Sequence, residues 1–561
     1  MRIESDCTNG RESDLWPAGN PSARAPAGVR WSVDDASGSA PEPRPDRPPS
    51  ANASGRQVFA NIVSSYANLF IGILLSLVLT RVLLRHLGTS AYGLWIVLLA
   101  IVSYTGLLDA GVSTAAVQRI AQMSATGDVE GVGDIIRTAW MFFTVSGALA
   151  VAVTLVVAPF IGSLLHLGAI STSTAAATLI ILGVMTAIQF LALVPNAALI
   201  GSGRSDRQAQ FGIIGFFLTQ IGQVVVVIAG GGLIGLAVVS VAGAVFGLVV
   251  SASLVRRVTG SSVRHGHFDR ALLGELLRFG GRNAIISISG TIAYSLDAVI
   301  IGLILPVSQV APYDIALSTA NFNQNLTQQG TKLLLPVYAH SDATGNTDRQ
   351  ARLFSRSVMG GLAISVPIVI ALIAFGDPIL KLWLGSVPAK TYGIMIALGV
   401  VITLQLPGNQ CFIYLTGIGR NHLLVRFAIL GALLNLAGSI GATFWLGPIG
   451  PAIGSLPPVL VIDFVILPLI VCRQLQIPVG TYARTALAPI LPAVIVAAVV
   501  ATALHFLYPV HAGSTLHRGV QAAIGATIVV VTSWITMVAI TFRIEPGLGV
   551  AVRKSLQRFR S

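Results

Sequence analysis

The sequence predicts an all-α polytopic membrane protein, and three observations carry that expectation. Of 561 residues, 54% are hydrophobic and only 10% are charged, against roughly 25% charged in a soluble globular protein. Mean hydropathy is strongly positive. Apolar runs recur with short breaks from Gln57 to Thr541, and about 20 apolar residues suffice to cross a bilayer as a helix. This balance excludes a soluble enzyme, a secreted disulfide scaffold and a disordered chain.

The segments follow in order. Residues 1–56 hold seven Lys+Arg and eight Asp+Glu among many Pro, Gly and Ser, with no apolar period, and are expected to be a disordered cytoplasmic tail. Spans are expected near 57–81, 91–116, 138–165, 172–200, 211–230, 232–255, 284–305, 312–340, 356–381, 391–417, 424–446, 449–472, 486–508 and 518–542, about fourteen in all by the length a bilayer requires. Segment 256–283 reads as an amphipathic cytoplasmic connector, apolar at Phe268, Leu272, Leu273, Leu276 and Leu277 and polar at Arg270, Glu275 and Arg278. Residues 543–561 form a basic cytoplasmic tail. With these spans, 22 Lys+Arg fall in the loops and C-terminal tail on one side and five on the other, which places both termini in the cytoplasm. The net charge of +13 then reflects those loops and not nucleic acid.

The chain restarts after the connector. Ser76–Trp95 reads SLVLTRVLLRHLGTSAYGLW, and Ser295–Ala316 reads SLDAVIIGLILPVSQVAPYDIA. Each has an ionisable residue in the helix (Arg81 or Asp297), an apolar run, a turn, and a Tyr opening the next helix (Tyr92 or Tyr313). Six helices separate the copies, so two halves of like orientation, 57–255 and 284–472, are expected, related by an axis along the membrane normal. Helices 13 and 14, within 473–542, are an appendage.

Polar side chains inside hydrocarbon are costly and face the bundle interior or a water-filled cavity. In the eighth span Asn321, Asn325, Gln328 and Lys332 are spaced four, three and four, which puts them on one helix face. Asn323, Gln324 and Gln329 broaden the stripe. It is expected to line a cavity. A few such amides also serve as interhelical hydrogen bonds, and that plainer role stands beside the pairs Asn61 and Asn68, Gln189 and Asn196, Gln220 and Gln223, and Gln405 and Asn409. Asp109, Asp297 and Asp463 are taken as the acids within spans, with Asp109 near enough to an end to be a cap. Pro195, Pro306, Pro336, Pro367 and Pro407 lie in or near spans, where they kink helices.

Other chemistry is missing from the sequence. No Gly-Lys dipeptide occurs, so there is no Walker A loop. Cys7, Cys411 and Cys472 are isolated, and His505, His511 and His517 are six apart. Neither spacing is that of a metal site, and no cofactor, metal or catalytic constellation is expected.

Arg81–Trp95 (RVLLRHLGTSAYGLW), Asp109-Ala110-Gly111, and Arg119 with Ile120-Ala121 resemble the opening of bacterial polysaccharide and oligosaccharide flippases of the multidrug/oligosaccharidyl-lipid/polysaccharide exporter superfamily. The resemblance covers about 57–472 in architecture. It implies two six-helix lobes around a central cavity, no enzymatic step, and translocation of a polyprenyl-diphosphate-linked oligosaccharide across the inner membrane. Amides suit sugar hydroxyls, and a cation suits a diphosphate. On this view the substrate cavity is expected at Asn321, Asn325, Gln328, Lys332, Arg81, Arg119, Asn68, Gln405 and Asn409. Arg81 and Lys332 face the phosphates, Arg119 stands at the cytoplasmic mouth, and a proton or Na⁺ couples at Asp297. For Arg81 the alternative is simple snorkelling to the interface. A cation-coupled multidrug antiporter of the same superfamily is the alternative function. A membrane polymerase acting on the same lipid is disfavoured, because the non-cytoplasmic loops are short.

Overall fold

A computed structural model of the chain describes residues 55–259, 266–331, 334–420, 422–507 and 515–544. Among them there is no β-strand, only an isolated bridge between His166 and Pro306. Contacts divide the chain after Asn61. The described part of the first unit is helical from Gly55, and the second unit runs from Ile62.

In lipid every backbone amide must be satisfied within its own segment, which leaves the helix as the solution for these apolar runs. In order, the helices are α1 Gly55–Thr105, α2 Val112–Thr126, α3 Val129–Val157, α4 Ile161–Leu164, α5 Thr172–Gly201, α6 Ser205–Ile228, α7 Gly232–Thr259, α8 Arg270–Ile304 and α9 Val310–Thr331. There follow α10 Leu334–Ala343, α11 Thr347–Leu384, α12 Thr391–Gly417, α13 His422–Leu446, α14 Gly450–Pro458, α15 Leu467–Gln474, α16 Val479–Tyr482, α17 Ile490–Leu507 and α18 Thr515–Ile544. Polar residues in the loops start several of them. The Asp128 carboxylate accepts from the Gly131 amide at 2.8 Å, Ser171 Oγ from Thr174 N at 3.2 Å, Asp269 from Ala271 N at 2.7 Å, and Asn346 from Arg349 N at 3.0 Å. Each satisfies an amide that the first helical turn leaves without a partner.

Ten stretches of the described residues are long and apolar enough to cross a membrane, which makes the chain a multi-pass membrane protein. Ile71–Asp109 contains the break at Gly88, and Leu423–Gln474 contains the turn at Gly447–Ile449. The expected figure of about fourteen is not reached by this measure. The eighth expected span falls short because of its own amides, and part of the seventh lies outside the described side chains. Two boundaries also differ. The second expected span, 91–116, stops at a short turn, Gly106–Asp109, where left-handed Ala110 and Gly111 start a new helix. The last part of the expected connector is not a separate helix but the opening of α8. There Leu276 is buried and Leu272 packs with it against α2, α3 and α5, while Phe268 and Leu277 stay exposed.

Gly88 breaks α1 with φ 78 and ψ 172, a region that essentially only glycine occupies. We expect Gly88→Ala to lower stability by about 1–3 kcal/mol, read as a lower thermal midpoint of the detergent-purified protein. An unchanged midpoint would mean that the two legs of α1 tolerate another geometry.

The cores explain how the helices associate. One is shared: it takes Leu83, Tyr92, Leu94 and Trp95 of α1, Leu179 and Leu182 of α5, Ile301 of α8, Val310 and Tyr313 of α9, and Ile394 and Leu398 of α12. The other ends of the same helices go to separate cores. Phe190 and Val194 of α5 pack with Ile120, Ile135 and Phe143, whereas Leu406 and Tyr414 of α12 pack with Tyr338, Phe354 and Tyr482. The two parts of the chain therefore share one core at one end, while at the other the cores separate and the opening of α8 stays packed on α2, α3 and α5. At the fused end Val307 N donates to His166 O at 3.3 Å, and Trp383 Nε1 to Leu77 O at 2.8 Å. A Cβ on Gly93 would lie 1.9 Å from Val307 O, so the α1 backbone meets the turn before α9 directly. Large apolar side chains on one face of α6, Ile214, Leu218, Ile221, Val225 and Ile228, are exposed, as suits a lipid-facing helix.

Candidate functional site

A cavity of about 820 Å³ lies among α1, α5, α6, α7 and the start of α9. Its polar wall comes from the amides Gln189 and Asn196 of α5 and Gln208, Gln220 and Gln223 of α6, with the hydroxyls of Ser76, Thr80, Thr219, Ser240, Ser251 and Ser318. Tyr92, Trp95, Phe211 and Phe216 supply aromatic surface. Among the described residues the lining contains one charged residue, Asp314, and no Lys or Arg. Helical spacing explains the convergence. Gln189 and Asn196 are seven apart, and Gln220 and Gln223 three apart, so each pair shares a face.

The amides differ in what holds them. Gln223 is buried, and its Nε2 donates to Ser240 Oγ at 3.0 Å, tying α6 to α7. Ser240 in turn donates to Leu236 O at 2.9 Å. Gln220 is half-buried and Gln189 exposed, both within the cavity wall.

At the fused end the cavity meets a hydrogen bond between the two parts of the chain. Tyr92 OH of α1 donates to Asp314 Oδ2 of α9 at 2.5 Å, and Thr80 also reaches the Tyr92 hydroxyl. The next residue back, Tyr313, donates to Asp297 of α8. Ser439 Oγ of α13 donates to the other Asp297 oxygen at 3.2 Å. Asp297 is 7% exposed, and its hydrogen-bond partners are neutral hydroxyls.

Asp314 was absent from the sequence expectation, which counted Asp109, Asp297 and Asp463 as the acids within spans. A signal for it existed. Continuing the four-three spacing of the polar stripe backward from Asn321 reaches Ser318 and then Asp314, and both line the cavity. The stripe is thus one face of α9, carrying Asp314, Ser318, Asn321, Asn325 and Gln328.

The expected site residues are distributed as follows. Asn325 is exposed, and Asn321 and Gln328 are half-buried. None of the three is part of the lining of the 820 Å³ cavity, which takes the first two turns of α9. Lys332 and the side chain of Asn68 lie outside the described residues. Asn323 turns the other way, with Nδ2 donating to Ser365 Oγ at 2.8 Å. Arg81 is exposed. Arg119 pairs with Glu275 at 3.5 Å and donates to Gln122 at 3.1 Å, so a carboxylate already stands at it. Gln405 and Asn409 of α12 each bury a polar atom without a partner, Oε1 and Nδ2 respectively. Asp463 sits in a wide-turned helical segment, Val459–Ile466, over Gly408. Asp109 caps α2, accepting from Ser113 N at 3.0 Å and Ser113 Oγ at 2.6 Å. Among the described residues no group of three His, Cys, Asp or Glu could hold a metal ion.

Apolar helices gathered around a base-free polar cavity define the class: an α-helical membrane protein with the fold of the exporter superfamily. Solved structures share that fold. The lipid II flippase MurJ in its inward closed conformation gives a TM-score of 0.68 at 13% identity, over 86% of this chain and 99% of that one. An inward-facing multidrug resistance MATE family transporter of the MOP superfamily gives 0.61 at 17% identity, over 74% of this chain and 96% of that one. An outward-facing one gives 0.50 at 18% identity, over 76% and 96%. No curated protein matches the sequence. The family described as polysaccharide biosynthesis protein matches residues 82–388, more than half of the chain, and the chain belongs to that family. The expectation raised by Arg81–Trp95 is borne out at the level of the family.

Proposed function

We propose that the protein flips a polyprenyl-diphosphate-linked oligosaccharide across the bacterial inner membrane during polysaccharide biosynthesis. The lobes at 57–255 and 284–472 would alternate access to a cavity between them. The observation that supports this most is the cavity lining: five amides, six hydroxyls and aromatic faces, with no base. Amides and hydroxyls can each donate to and accept from sugar hydroxyls, whereas a diphosphate seeks cations. The sugar therefore belongs in the cavity, and the diphosphate near Arg81, Arg119 or Lys332. The α9 stripe extends the amide surface from the cavity toward the end where the cores separate. The 22-to-5 distribution of basic residues supports a cytoplasmic position for that end, and on this reading the fused end faces the periplasm. An anion leaving a negative-inside cell gains about 2.3 kcal/mol per charge per 100 mV, and a proton or Na⁺ at Asp297 would add to the drive. Membrane lipids surround the exposed face of α6.

The test is export of surface polysaccharide by a deletion strain carrying variants. We expect Asn325→Leu and Lys332→Ala each to abolish export with membrane protein levels unchanged. Normal export by both would remove the stripe from the mechanism. The single carboxylate in a base-free cavity also favours the antiporter reading. Efflux of a cationic dye, lost in Asp314→Asn, with export intact in the deletion strain would establish that reading instead.

A further inference from the structure

Asp314 and Ser318 belong to α9, in the second part of the chain, yet line a cavity otherwise built by the first part. Among the described residues no base stands in that lining. A carboxylate out of bulk water needs donors, and it can accept about four hydrogen bonds. Among the described residues the one hydroxyl that reaches it, at 2.5 Å, is Tyr92 from across the seam. One turn further, Ser318 lines the same wall, with Gln220 and Thr219 also in the lining. Beside Tyr92, Gly93 abuts the Val307 carbonyl, so the seam at this level is closed backbone to backbone.

We propose that Asp314 is a sugar-binding residue at the closed end of the cavity, and that Tyr92 holds its place while that end is shut. A sugar hydroxyl arriving there donates to Asp314 in place of Tyr92. The freed Tyr92 hydroxyl turns to Thr80, and the only side-chain hydrogen bond described between α1 and α9 is released. Occupancy and opening then become one exchange of hydrogen bonds, with no charge moved. This deepens the glycan reading of the cavity and rests on it.

The two residues should separate in experiment. Each variant is made in the full-length protein with Cys7 replaced by Ser and Ser318→Cys as the reporter. A membrane-impermeant maleimide is applied to the outer face of spheroplasts, and export is measured in cells. Tyr92→Phe keeps the ring and loses the donor. It should raise labelling about tenfold, the worth of one hydrogen bond to a charged group, and lower export less than Asp314→Leu does, because the sugar and not Tyr92 serves Asp314 in the working state. Asp314→Leu should raise labelling similarly and lose export. Asp314→Asn, isosteric and able to accept, should label between the wild type and Asp314→Leu and export weakly, which keeps the test valid if the Leu variant does not accumulate. Unchanged labelling in Tyr92→Phe would refute the lock. Full export by Asp314→Leu or Asp314→Asn, or equal loss in Tyr92→Phe, would refute the binding role. If deletion of the whole protein leaves export untouched, it is the flippase reading that fails, and the labelling pattern still decides whether Tyr92 and Asp314 form a lock.

Discussion

Gly93→Val is expected to prevent the closed end of the cavity from forming. The added Cβ would sit 1.9 Å from the Val307 carbonyl oxygen and 2.9 Å from its carbon. Both are backbone atoms, so no side chain can rotate away. Overpacking a core costs about 1–3 kcal/mol where neighbours can shift, and here the neighbour is the turn that launches α9. The shared core next to it includes Val307, Val310 and Tyr313, so the displacement would travel into the contact between the two parts of the chain. We expect loss of export, fast labelling of Ser318→Cys from outside, and a lowered thermal midpoint. Gly93→Ala should show the same at smaller amplitude. A Gly93→Val protein with wild-type labelling would mean that the backbone approach is not part of the closure.

The second large effect concerns two amides one turn apart. Gln220→Leu should abolish export and leave the thermal midpoint nearly unchanged, because the half-buried Gln220 lines the cavity. Gln223→Leu should do the reverse, lowering the midpoint by breaking the 3.0 Å bond to Ser240. Polar contacts between membrane helices are worth about 0.6 kcal/mol on average and up to about 1.7, so the loss should be measurable but not fatal. If the two variants behaved alike, the division between ligand amide and interhelical amide would be wrong.

Hydropathy made most of the fold legible, because a bilayer leaves apolar runs few options. The recurrence of an ionisable residue, a turn and a Tyr singled out Tyr92 and Tyr313, but the tyrosines' roles were not visible. Tyr313 bonds to Asp297 within its own part of the chain, whereas Tyr92 bonds across to Asp314. Nothing in the repeat distinguishes a partner 16 residues away from one 222 residues away. The pairs Gln189/Asn196 and Gln220/Gln223 were each recognisable as one helix face, yet only packing of α5 against α6 and α7 makes them a single wall. Asp314 was overlooked although it lies inside the expected span 312–340, because the stripe was traced only from Asn321 onward and not back to the start of α9. Arg119 reads as a free cation until Glu275, from within the expected connector, is brought to it.

The adjacency of Tyr313 and Asp314 has a consequence for motion. Neighbours on a helix project about 100° apart, and these two are moored to different elements, one to α8 and one to α1. A roll of α9 that slackens one tether draws the other taut, so the helix resists rotating in place. Its easier movement is a rigid tilt about the Tyr313 anchorage, which would swing the far, amide-rich end through the widest arc.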